Sequence, residues 1–355
     1  MAVVEGSRWE VDAEAVLGSR VVSQRVRLSG RVVARSFGST VLLGASRDDD
    51  GELAVKVVSK EHLHGEEERR NAREEMRMHA KMLPHPNIIR LLLSEETPEA
   101  IILVTPFTRS GDLWGLMQHG LTVLEAQARN CAAQMFSALR HLHELCSLVH
   151  GDIKPHNFLL FQTEQRYTLR LCDFGFTERP EVFGLVRFRE VRGTSGWLAP
   201  EMLNRSDYGF PIDLFGIGLI LFRILGGYAP FDPPSRFQPK VDYDDRCWCH
   251  IGDVCRDFIS KLLCLEPSGR GTAAEASEHP WIQGPEPEPP TQQQLDALAA
   301  YGPPPDSTAV FWPAESVPKP CSCAGESTVV RSRCGSSDDD YSSDFNETLP
   351  PLSPT

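Results

Sequence analysis

His150-Gly-Asp-Ile-Lys-Pro-His-Asn157, followed further on by Asp173-Phe-Gly175, decides how the rest of the chain is read. Asp152 stands five residues before Asn157, and Asp173 sixteen after it. The stretch between, FLLFQTEQRYTLRLC, reads as two short strands around a polar turn. A hairpin returns its ends to one place, so Asp152, Asn157 and Asp173 meet at its mouth. Two oxygen ligands beside a further carboxylate suit a hard cation such as Mg²⁺, which fills its shell with substrate phosphates. The remaining carboxylate is free to orient a hydroxyl.

The whole chain sets bounds on this chemistry. Its 355 residues suffice for one large domain or two small ones with a substantial core. A net charge of −13 argues against general nucleic-acid binding, because a polyanion needs a basic face. No stretch reaches the roughly 18 apolar residues of a membrane span, and the start, MAVVEGSRWEVDAE, carries no secretory pattern. The ten cysteines form no CxxC pair, which points to a reducing cytosol or nucleus. Nothing in the pattern calls for an oligomer, and a monomer is the default.

At these residues the chain resembles a known family. HGDIKPHN…DFG is similar to the HRDxKxxN…DFG pair of eukaryotic-type protein kinases. The shorter HGDxxxxN also occurs in small-molecule phosphotransferases resembling the aminoglycoside and choline kinases, so the distal motifs decide. Gly193-Thr-Ser-Gly-Trp-Leu-Ala-Pro-Glu201 matches GTxxYxAPE, with Trp197 in place of the Tyr. Asp213-Leu-Phe-Gly-Ile-Gly-Leu219 resembles DxWSxGV, whose Asp braces the catalytic-loop backbone. Leu262-Leu-Cys-Leu-Glu-Pro-Ser-Gly-Arg270 and His279-Pro-Trp-Ile282 resemble the end of the kinase domain, where Arg270 pairs with buried Glu201. Small-molecule phosphotransferases lack these elements.

The resemblance covers residues 25–283 and implies an α+β, bilobal protein-kinase fold. A small antiparallel β-sheet N-lobe with one helix occupies about 25–104, and a larger, mainly helical C-lobe about 109–283. Residues 1–24 form an N-terminal extension. Residues 284–355 hold thirteen of the 27 prolines beside acidic serine runs, and read as a disordered tail. Within the domain, RVRLSGRVVARSF, TVLLGA and ELAVKVV read as three strands, and 66–83 as a helix. LLLSEETPEAIILV reads as a hairpin and 122–150 as a long apolar-striped helix, in which His141 and His143 are packing or surface residues.

The same resemblance assigns the site, with ATP and Mg²⁺ as cofactors and a protein Ser/Thr hydroxyl as acceptor. It implies that Asp152 orients the hydroxyl, that Lys154 neutralises the transferring phosphoryl group, and that Thr194 contacts both. It implies that Asn157 and Asp173 hold Mg²⁺. Ala54-Val-Lys56 matches the VAxK strand, whose Lys meets the nucleotide phosphates and a helix Glu; Glu75 is the choice for that partner, and Glu74 the alternative. Thr105 is the gatekeeper, Pro106 offers its C=O and Thr108 its N–H to the adenine, and Asp112 reaches the ribose. Val32, Gly38, Thr40 and Leu159 complete the nucleotide pocket.

Four departures qualify these assignments. Of the three loop glycines only Gly38 survives, with Val33 and Arg35 at the other two positions. Gly151 replaces the Arg that receives an activation-loop phosphate, and residues 176–192 contain a single hydroxyl residue, Thr177. Receptor and acceptor are both missing, so the loop is not expected to be a phosphorylation switch. GGYAPF, Trp248 and DFISKLL look most like the calcium/calmodulin-dependent kinase group, yet the prolines of 232–245 argue against a full substrate-docking helix. His156 and Arg223 stand where relatives that favour arginine-bearing substrates place glutamates, so no strong upstream arginine preference is expected. The alternative from another class is a pseudokinase scaffold. The lost glycines, Gly151 and the short docking region favour it; Lys56, Glu75, Asp152, Asn157 and Asp173 all being present oppose it.

Overall fold

The computed structural model describes residues 13, 15–36, 38–63, 65–118, 124–162, 167–181, 184–232 and 237–285. All lie in the first of two units, residues 1–318. The tail read as disordered lies outside the described residues from 286 onward.

A short helical turn, α1 (Val22–Arg25), leads into β1 (Val26–Ser36), β2 (Ser39–Ser46) and β3 (Glu52–Ser59). Helix α2 (Glu66–Lys81) follows, then β4 (Leu93–Glu96) and β5 (Ala100–Pro106). The five strands form one antiparallel sheet in the order β1-β2-β3-β5-β4. Successive side chains of a strand alternate between faces, and directly opposed residues share one. Leu42, Val55 and Val57 therefore share a face, where they pack in a cluster with Val26, Val16 and Val22. The other face carries Val58, Ile101 and Leu103, which meet Ala72 and Met76 of α2. Lys56, opposite Val41 and Leu103, emerges on this second face.

The C-lobe begins with α3 (Leu113–Gln118) and α4 (Glu125–Arg140), the latter prolonged by a wider turn, His141–Leu145. The helix read over 122–150 thus stops at Leu145, and the backbone turns at Ser147, whose φ is +54°. The hairpin of β6 (Phe158–Gln162) and β7 (Tyr167–Leu171) comes next, then α5 (Pro200–Leu203) and α6 (Pro211–Gly226). α7 (Asp245–Trp248), α8 (Asp253–Leu262), α9 (Ala273–Ser277) and α10 (Pro280–Gln283) complete the lobe. Helix α6 is buried along nearly its whole length, as its unbroken apolar run requires. Gly216 lets it press on the catalytic loop: a Cβ there would stand 2.7 Å from Cβ of Ile153. Among the described residues no helix is long and apolar enough to cross a membrane.

Candidate active site

The β6–β7 hairpin does what its sequence requires. Phe158 opposes Leu171, so Asn157 and Cys172 meet at its mouth, where the Cys172 N–H donates to the Asn157 carbonyl at 2.8 Å. Asp173 follows with φ +62°, a left-handed conformation that costs a non-glycine residue energy and recurs at functional sites. Lys56 Nζ holds its Oδ1 at 2.7 Å.

Lys56 also donates to Glu75 Oε1 at 2.8 Å, which settles the partner geometrically: Glu74 is exposed and faces Arg77 at 3.7 Å. Burial opposes the Lys56 charge, but the Asp173 and Glu75 carboxylates outweigh it and raise the ammonium pKa. In return the Lys56 ammonium, against the opposing effect of burial, holds the Asp173 carboxyl down to about 2.

Asp152 is buried and tightly held. Thr194 Oγ1 donates to its Oδ1 at 2.8 Å, and Lys154 Nζ lies 2.7 Å from its Oδ2. Lys154 Nζ also donates to Thr194 Oγ1 at 2.6 Å, closing the triangle expected of these residues. The Asn157 amide donates to the Asp152 carbonyl at 2.7 Å and to its Oδ2 at 3.2 Å. That leaves Asn157 Oδ1 without a donor among the described residues. Asp173 Oδ2 is likewise outside the Lys56 bond. Asn157 and Asp173 stand at the two ends of the hairpin, and a carboxamide oxygen with a carboxylate oxygen is a donor set of the kind Mg²⁺ takes.

The loop itself hangs from α6. Asp213 is fully buried and accepts from the His150 N–H at 2.8 Å, the Gly151 N–H at 3.0 Å and His143 Nε2 at 2.8 Å. His143, read as a packing or surface residue, therefore has a defined role in fixing the Asp213 carboxylate. Arg270 and Glu201 form the expected buried pair, bidentate at 2.6 and 2.8 Å, and Arg270 also donates to the Cys264, Leu265 and Pro211 carbonyls.

At the hinge, Thr105 opposes Ala54 and both face the cleft side of the sheet. Pro106 ends β5 opposite Leu53. Thr108 donates its hydroxyl to the Leu160 carbonyl, and its N–H has no acceptor among the described residues. Asp112 commits one oxygen to the Gly115 N–H at 2.8 Å, capping α3, and is bridged to Leu159.

Two assignments are corrected. Thr40 opposes Val57, and Val32 opposes Leu42, so both lie on the sheet face turned away from Lys56. Val32 packs against the outer cluster there, and Thr40 is buried with its hydroxyl unpaired. Alternation gives the cleft face to Val41 and Leu43, opposite Lys56 and Ala54. Counting forward from Gly38 misses by one, and in a strand one residue reverses the side chain's face. Gly38 itself takes φ +77° at the turn between β1 and β2.

Sequence reasoning also missed His79. Its ring lies 4.7 Å from Phe174, whose other neighbour is His150 at 5.4 Å. The signal was present, since His79 follows Glu75 by one helical turn on the same face of α2.

The comparisons agree with this geometry. Residues 35–282 match the family described as Protein kinase domain. The chain is 33% identical over 254 residues to calcium/calmodulin-dependent protein kinase type 1 of Caenorhabditis briggsae, covering 69% of this chain and 69% of that protein. It is 32% identical over 259 residues to myosin light chain kinase A of Dictyostelium discoideum, covering 71% of this chain and 86% of that protein. It is 31% identical over 266 residues to human serine/threonine-protein kinase DCLK3, covering 72% of this chain but 40% of that protein. With the Lys56–Glu75 and Lys154–Thr194–Asp152 contacts formed inside a matched domain, the chain belongs to the protein kinase family, among the Ser/Thr kinases related to the calcium/calmodulin-dependent group.

Proposed function

We propose that the chain transfers the γ-phosphate of ATP to Ser or Thr hydroxyls of protein substrates, and does so without phosphorylation of its activation segment. The observation that carries the reading is the closed set of contacts around Asp152 and Lys56. Lys56 anchors the nucleotide phosphates from one side, while the free N–H of Thr108 and the Pro106 carbonyl meet the adenine. The acceptor oxygen attacks the γ-phosphorus, the bond to the β,γ-bridging oxygen breaks, and ADP leaves. Asp152 orients the hydroxyl and takes its proton. Lys154 offsets charge on the moving phosphoryl group. Asn157 and Asp173 would hold Mg²⁺, which when bound neutralises the phosphate oxygens.

Two features support independence from loop phosphorylation. Thr177, the single hydroxyl residue of 176–192, is buried. The segment is tied down by its own charges instead: Arg192 pairs with Glu178 at 3.2 Å and Glu190 at 2.8 Å, and Val149 bridges Glu178. A cytosolic or nuclear location fits the free thiols of the described cysteines.

The test uses purified, phosphatase-treated chain with Mg·ATP and a Ser/Thr peptide pool. Phosphoserine or phosphothreonine product is expected, and Asp152→Asn should lower kcat about a hundredfold or more. A second reading, a pseudokinase scaffold, is favoured by Val33 and Arg35 where glycines would allow close approach. It predicts phosphotransfer no higher than that of an Asp152→Ala control, with a thermal shift by ATP, with and without Mg²⁺, reporting whether nucleotide binds.

A further inference from the structure

Between the Thr194 loop and helix α6 lies a stack of side chains that phosphotransfer itself does not use. His156 stacks on Trp114, ring centres 4.9 Å apart and planes within 24°. Trp114 meets Trp197 edge-on at 6.5 Å. The Arg223 guanidinium lies over the Trp197 ring at 4.7 Å. The run connects α3, the catalytic loop, the Thr194 segment and α6. Its position is fixed by chain: His156 is two residues from Lys154, and Trp197 three from Thr194, both of which touch Asp152. Whatever binds along it lies beside the hydroxyl being phosphorylated.

Arg223 also lines a cleft with Gly196, Leu198, Leu219, Phe231 and Phe237. Among the described residues no carboxylate pairs with it. Its contacts are an indole face and apolar walls, and burial lowers its pKa. A largely desolvated guanidinium without a counterion stands to gain from an anion more than a solvated one does. A single guanidinium fork matches a carboxylate in bidentate fashion. One guanidinium balances the single charge of a carboxylate, whereas a phosphate group of about −1.5 to −2 would keep part of its charge unmatched.

We propose that this stack is a substrate subsite for a carboxylate, so that the chain favours Ser or Thr acceptors preceded within a few residues by Asp or Glu. Arg223 pairs with the carboxylate, Trp197 backs the guanidinium, and the half-buried Trp114 flanks the pair. The side of the acceptor follows from the kinase reading above, on which the proposal rests.

The experiment uses the full chain with Mg·ATP and peptides identical except at the second and third positions before the acceptor, which carry Asp, Glu, phosphoserine, Ala or Arg. Asp and Glu peptides should exceed the Ala peptide in kcat/KM by about fivefold to tenfold, the worth of one charge-assisted pair, mostly through KM. Arg223→Gln should flatten the profile and Arg223→Glu should invert it toward Arg, with melting temperature confirming that each variant folds. Affinities for peptides with Ala at the acceptor position, read by fluorescence polarisation, test the subsite without phosphotransfer. Acid-selective binding in the absence of turnover would support the subsite while sinking the kinase reading. A flat or Arg-favouring profile, an unchanged profile in Arg223→Gln, or preference for phosphoserine over Asp and Glu each overturns the proposal.

Discussion

The ring of His79 packs against that of Phe174 at 4.7 Å, and its Nε2 donates to the Ile89 carbonyl at 2.9 Å. The ring that backs the Asp173-Phe-Gly175 turn is therefore titratable. Burial, foremost, and then Lys56 lower its pKa below 6.5, against the hydrogen bond to Ile89. In the unfolded chain it takes a proton near 6.5; in the fold it does so only at lower pH. The unfolded state thus binds more protons in that interval. Stability is complete above pH 6.5 and declines as pH falls, by at most about 1.4 kcal/mol per pH unit for one group. His79→Leu keeps the packing and removes this share, so its melting temperature should fall less steeply between neutral and mildly acid pH. His85, His156, His250 and His279 shift the same way and retain part of the slope. Identical slopes for variant and parent would refute the assignment.

Gly151 is more than a missing arginine. Its φ is +81°, and a Cβ there would stand 2.6 Å from the Phe176 carbonyl oxygen. Restoring the family residue with Gly151→Arg should destabilise the chain by about 1–3 kcal/mol through backbone strain and that contact. It should also fail to confer dependence on loop phosphate, because Thr177 is buried. Chemical denaturation and activity before and after phosphatase treatment check both parts. A Gly151→Arg enzyme as stable as the parent would show that the loop relaxes freely.

Asp213 serves three donors at once, and Asp213→Asn presents an NH₂ to at least one of them. A buried donor left unpaired costs about 1–3 kcal/mol, and the loss of charge adds to it. Because two of the donors are the N–H groups of His150 and Gly151, the strain falls on the loop that carries Asp152. The expected result is a drop in kcat exceeding any rise in peptide KM, beside a lower denaturation midpoint. Loss of stability with kcat intact would separate Asp213 from the site.

The parts of this molecule that were legible in its sequence are those where chemistry demands a residue at a fixed spacing. The β6–β7 hairpin followed from strand alternation, and Asp152, Lys154 and Thr194 met as their motif implied. The β1–β2 loop was not legible, because its glycines are gone and register alone sets the phase. Register shifts between Leu28 and Val32, and again between Val32 and Ala34, move Val32 to the outer face. Gly30, at φ +76° between Leu28 and Val32, is a local mark of the first shift, as an isolated glycine in a strand can be; the second has no such mark. The Trp114–Trp197–Arg223 stack was legible only in part: the resemblance set Arg223 and His156 at positions facing substrate, but the stack's members come from separate elements, and only packing brings them together.

Glu95, on β4, accepts from three successive backbone N–H groups, those of Arg20 at 2.7 Å, Val21 at 2.8 Å and Val22 at 3.1 Å. One carboxylate thereby pins the start of α1 to the far edge strand. Behind it, Ala13, Ala15, Val16 and Val22 cover the sheet face that holds Leu42, Val55 and Val57. We propose that residues 13–25 act as part of the N-lobe. Removing residues 1–21 uncovers Val22 and strips Val16, and burial of one such valine is worth about 1.5–3 kcal/mol. The sheet so exposed carries Lys56 on its opposite face, so the loss should reach the nucleotide. The truncated chain is expected to melt lower and to show a raised KM for ATP with peptide KM little changed. Glu95→Gln, which weakens the clamp without removing the apolar cover, should show the same pattern in milder form. If truncation lowers the melting temperature while KM for ATP stays fixed, the segment is a brace for the sheet and nothing more.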